Sequence, residues 1–123
     1  MKRWAAVAGL AVLAGCAHGI KGTEIKSTSP NSTASAKSVD NVYACLRGKF
    51  SSLSNVIETT TFPTSGAAEI DFYLGGHGTE KYSYHLIRIS PAVSGSLIQR
   101  YTAGVSFPRM PLDRLDATIS NCI

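Results

Sequence analysis

The chain is 123 residues long and 44% apolar, with 12 basic and 8 acidic residues for a formal net charge of +4. That length holds one small domain and a tail, not two domains. From Val39 onward seven cations meet seven carboxylates with no basic block or stripe, which argues against nucleic acid as a partner, since phosphate binding needs clustered positive charge.

The chain opens with Lys2 and Arg3, followed by an apolar run from Trp4 to Leu13. At helical rise such a run covers about 15 Å, half of a hydrocarbon core roughly 30 Å thick, so it is too short for a stable transmembrane helix. A basic start, a short apolar middle and small residues at the end make the layout of a secretory signal. The next four residues, Leu13-Ala14-Gly15-Cys16, resemble the lipobox of bacterial lipoproteins. That resemblance implies removal of residues 1–15 as a signal peptide and acylation of the Cys16 thiol, which becomes the first residue of the mature chain. It further implies a membrane partner reached through the lipid anchor. Ala17, not aspartate, follows Cys16. In lipoproteins of this kind, that implies the outer membrane, facing the periplasm.

From Ala17 to Ser38 the chain is rich in Ser and Thr and poor in large apolar residues. Such a composition buries too little surface to offset its ordering entropy, so residues 16–38 read as a lipidated cysteine and a flexible tether. Its root-mean-square span would be roughly 25 Å, enough to hold a domain off the bilayer. Lys21, Lys26 and Lys37 could lie along anionic headgroups.

The expected domain spans residues 39–123. Ser38 can cap a helix whose Val39, Val42, Leu46 and Phe50 share one stripe, with Asp40 at its positive end and Gly48 weakening its last turn. Period-two alternation then takes over. "AAEIDFYL" (67–74) has one dry face, while "NVIETTTF" (55–62), "KYSYHLIRI" (81–89) and "SGSLIQRYT" (94–102) are further strands. Turn signals at Gly75 to Gly78 and Pro91 to Gly95 favour antiparallel hairpins. Pro111 opens a closing helix in which Leu112, Leu115, Ile119 and Cys122 recur at helical spacing. The expected fold is α+β, with both terminal helices packed on one face of a three- to four-stranded antiparallel sheet. If Cys16 is acylated, Cys45 and Cys122 remain as an even pair in an oxidising compartment, and a disulfide between them would join the two helices.

Chemical signals are sparse. The glycines of "YLGGHGTEKYSYH" precede a strand and not a helix, so a tight hairpin is a better reading than a phosphate cradle. His77 and His85 are the histidines of the expected domain; no ligand spacing suggests a metal, no nucleophile elbow suggests a catalytic serine, and no cofactor is implied. A hydrolase would need a serine or aspartate to meet one of these histidines. Tyr73, Tyr82, Tyr84 and His85 are the candidate ligand-binding residues. Their exposure depends on hairpin register. With Leu74 opposite Lys81, the tyrosines line the open face. With Leu74 opposite Glu80, they pack over Ile70 and Phe72 while His85 turns toward Glu69. The second is preferred, because the first buries Ser83 and His85. The expected function is that of a small lipid-anchored envelope protein, a non-enzymatic binding or structural accessory with an envelope protein partner. The alternatives are a module for a glycan, peptide or lipid, and a small hydrolase.

Overall fold

The computed structural model describes residues 20–21, 24–74 and 82–123. The leader, Cys16, His77 and the hairpin glycines lie outside them.

Helix α1 (Val39–Lys49) begins where the Ser38 hydroxyl accepts the Asn41 N–H at 3.2 Å. Asp40 sits in its first turn and Arg47 and Lys49 in its last, each sign matched to the helix end. Val39, Val42 and Leu46 are buried on one stripe, and Phe50 at the helix end is fully buried. Helix α2 (Leu112–Ser120) starts after Pro111 and buries Leu115 and Ile119. Leu112, expected on that stripe, is 37% exposed in the first turn.

The sheet is antiparallel throughout. Its strands are β1 (Ile20–Lys21), β2 (Asn31–Ser35), β3 (Ile57–Phe62), β4 (Ala67–Leu74), β5 (Tyr82–Ala92) and β6 (Gly95–Thr102). The spatial order is β2-β6-β5-β4-β3. The short β1 pairs with the start of β5, just past the Thr102–His85 pair that ends β6. Ala68, Ile70, Phe72, Ile87, Ile89 and Ile98 form one face, and α1 and α2 close over it in a single apolar cluster. The α+β architecture, with both helices on one sheet face, is the one expected, but among the described residues the sheet has six strands and not three or four, because β1 and β2 come from the segment before α1.

Two further expectations need correction. The tether was expected to run to Ser38, yet Asn31–Ser35 is an edge strand paired residue by residue with β6. Ile25, in a single 3-10 turn (Ile25–Ser27), is fully buried against Leu86 and Tyr101 on the second sheet face. Composition misled because an edge strand can gain its stability from a backbone ladder, which does not require large apolar side chains. The folded unit therefore includes Ile20, Lys21 and residues 24–38.

The second correction concerns hairpin register. Leu74 lies opposite Tyr82, not Lys81 or Glu80. Phe72 pairs with His85 but Tyr73 pairs with Ser83, so Tyr84 is an extra residue in a β-bulge. A bulge reverses the inside-outside alternation on one side of it. Consequently Ser83 and His85 are both buried, at 0% and 2% exposure, on opposite faces of the sheet.

Candidate functional site

The bulge determines where the candidate ligand residues go. Tyr84 turns toward the helices and stacks on Phe107, with ring centroids 4.9 Å apart and planes 20° apart. Tyr73 is half-buried beyond the bulge, its N–H donating to the Val56 carbonyl at 2.9 Å. Tyr82 is 38% exposed at the end of β5, opposite Leu74. His85 lies in the core between Phe72 and Phe107, both rings edge-on at 6.0 Å. The four side chains thus do not line one open surface.

His85 has a defined chemical state. Its Nε2 is 2.9 Å from the Met110 carbonyl oxygen, which can only accept, so Nε2 carries the proton. Its Nδ1 accepts from the Thr102 hydroxyl at 3.1 Å, and that hydroxyl in turn accepts the Gly104 N–H at 3.3 Å. Burial pushes the imidazole pKa below its ordinary value, opposed by the Met110 hydrogen bond and reinforced by nearby Arg100. With both nitrogens engaged, a neutral His85 clips the 103–111 connection onto the sheet. The preferred expectation that His85 would face Glu69 is overturned, since Glu69 lies on the other face, opposite Arg88.

That second face carries a charge network not foreseen from sequence. Glu69 is 8% exposed, and its Oε2 receives both Arg88 Nη1 and Lys26 Nζ at 2.7 Å. The Phe62 ring lies beneath both cations, 5.4 Å from the Arg88 guanidinium carbon and 5.9 Å from Lys26 Nζ. Beside it, Ser83 donates to Asp71 Oδ2 at 3.0 Å, which satisfies the buried hydroxyl. The network fastens the Ile25 turn onto the sheet, with Lys26 paired to Glu69. Only the β4–β5 register could have revealed the Glu69–Arg88 pair.

On the helix side, Arg100 makes two 2.8 Å bonds to Asp116, linking β6 to α2. Cys45 and Cys122 form a disulfide, with Cα atoms 5.7 Å apart, linking α1 to the end of α2. An open groove of about 550 Å³ with a mixed polar and apolar lining runs beside the end of α1, lined by Arg47, Gly48, Ser51, Ile57 and Thr59 among others, and contains none of the candidate tyrosines. Among the described residues, no group of three His, Cys, Asp or Glu side chains could hold a metal ion, and no helix is long and apolar enough to cross a membrane. Comparison with protein-family models, curated proteins and solved structures finds no match.

Proposed function

We propose that this chain is a lipid-anchored, non-enzymatic lipoprotein of the bacterial cell envelope. It is held at the outer membrane, faces the periplasm, and binds or stabilises another envelope protein. The observation that carries the reading is Leu13-Ala14-Gly15-Cys16 placed directly behind Lys2, Arg3 and the short apolar run. The Cys45–Cys122 bridge supports it, because structural disulfides persist in oxidising compartments. The engagement of both His85 nitrogens in structural hydrogen bonds supports a non-enzymatic role. Anchoring raises the local concentration of the domain at the membrane, so a modest surface can engage its partner there without large contacts of its own.

Intact-mass spectrometry of the protein isolated from bacterial membranes tests this. The expected product begins at Cys16 and carries acyl chains, and Cys16→Ala releases it from the membrane fraction. A chain that retains residues 1–15, or a mature chain without acyl groups, refutes the proposal. Crosslinking in intact cells should then capture one reproducible envelope partner.

A further inference from the structure

β3 ends the strand order and, among the described residues, pairs only with β4. The Val56 carbonyl accepts the Tyr73 N–H and the Phe62 carbonyl accepts the Gly66 N–H, so both turn toward the β4 side. Backbone direction alternates along an antiparallel ladder, which leaves the N–H and C=O of Ile57, Thr59 and Thr61 facing outward. Edges of this kind are commonly blunted by lysine, proline or a bulge. β3 has none of these: it reads Ile-Glu-Thr-Thr-Thr-Phe, in unbroken register with β4.

The side chains at the same positions project to the helix side, since Ile57 lies opposite Phe72 of the core. There Ile57 and Thr59 line one side of the open groove of about 550 Å³, and Ala44, Arg47 and Gly48 of α1 line the other. The fold does not require glycine at position 48. Its φ is not positive, and a Cβ there would meet nothing within 4 Å. Glycine weakens a helix relative to alanine, so what Gly48 provides is width in the groove. The lining includes the cation of Arg47 and no carboxylate. The opposite edge, β2, borders a recess of only about 130 Å³ that already holds the Arg100–Asp116 pair.

We infer that β3 and the α1 groove bind an extended segment of another polypeptide. The segment adds to the sheet beyond β3, with its backbone hydrogen-bonded to Ile57, Thr59 and Thr61. Alternate side chains enter the groove, and an acidic one meets Arg47. The ladder supplies affinity and the groove selects sequence. A second copy of this chain fits less well, because pairing β3 with its own copy brings two Arg47-lined grooves together. This inference rests on the reading of the chain as a protein-binding accessory, and it is independent of acylation at Cys16.

The test selects phage-displayed random octapeptides against the full-length protein in detergent, then measures amide exchange with an enriched peptide bound. Enriched peptides should lack proline, alternate in apolar or β-branched residues and carry an aspartate or glutamate. Exchange at Ile57, Thr59 and Thr61 should slow by about tenfold or more, with β2 unchanged. Thr59→Pro removes an outward N–H without touching the β3–β4 ladder, and Gly48→Leu fills the groove with a better helix former. Both variants should keep a Tm near that of the wild type and lose about tenfold or more in affinity for that peptide. Failure to enrich any peptide, protection of β2 in place of β3, or full binding by a folded Gly48→Leu overturns the inference. Protection of β3 without peptide, rising with protein concentration alongside sedimentation as a dimer, makes the occupant a second copy and overturns it too. Peptide binding by a chain whose mass shows no acyl group overturns the lipid anchor and leaves this site standing.

Discussion

Reduction of the Cys45–Cys122 bridge opens a loop that spans a sequence separation of 77 residues, nearly the whole domain. In the chain-entropy model, closing a loop of that length removes about 15 cal/mol/K from the unfolded ensemble, or about 4.5 kcal/mol at 25 °C. A domain of this size has roughly 5–15 kcal/mol of total stability, so the reduced form should be marginal. The assay is urea unfolding of the oxidised wild type against the same chain kept reduced. With a slope of about 1 to 1.5 kcal/mol/M, the midpoint should fall by roughly 3 to 4.5 M. A Cys45→Ala/Cys122→Ala variant should show a similar loss without reductant, increased slightly because Cys122 is fully buried. If the reduced chain stays within about 1 kcal/mol of the oxidised one, the bridge is not the main restraint on the unfolded state and the loop argument fails.

His85 should make stability depend on pH. Its folded pKa is lowered from 6.5, so the unfolded chain binds the proton more readily, and stability is complete above 6.5 and declines as pH falls below it toward the folded value. Urea unfolding from pH 8 to pH 5 should show that decline in the wild type and a flatter profile in His85→Gln; identical slopes would exclude His85 as the cause. Gly95→Ala should destabilise by about 1 to 3 kcal/mol, because φ at Gly95 is +148° and a methyl group there would overlap the Ser35 carbonyl. Amide exchange in β2 should rise in that variant, and unchanged protection would refute the close approach of the two backbones. Glu69→Ala should cost about 1 to 3 kcal/mol because it strands Arg88, whereas Lys26→Ala, at a half-exposed partner, should cost less than about 1 kcal/mol. Thermal unfolding ranks the pair, and the reverse order would mean that Lys26 is the dominant partner.

Much of the helix layer was legible because its signals are local. The stripe of Val39, Val42 and Leu46, the Ser38 cap and the Leu115–Ile119 spacing each lie within a few turns of chain, and α1 and α2 form where they point. The same holds for β3 to β6, where alternation in stretches such as Ala67–Leu74 marks a dry face. The cysteines at 45 and 122 could be paired by count alone once Cys16 was set aside for the lipid.

The candidate site was less legible, because its geometry depends on residues distant in sequence. Nothing local to Tyr84 announces a bulge, yet that one extra residue sends Ser83 and His85 to opposite faces and separates the tyrosines. The cost of burying Ser83 and His85 argued against their burial, but Asp71, Thr102 and Met110 satisfy them from other elements.

By itself, then, the sequence determined the helices, the central strands and the cysteine pair, the first two from short-range pattern and the last from count. Tertiary structure alone decided that Asn31–Ser35 of the Ser/Thr-rich segment is strand and not leash, and that Ile25 is core. The physical reason is that β2, β1 and Ile25 draw their stability from backbone pairing and burial against β5 and β6, partners tens of residues further along the chain.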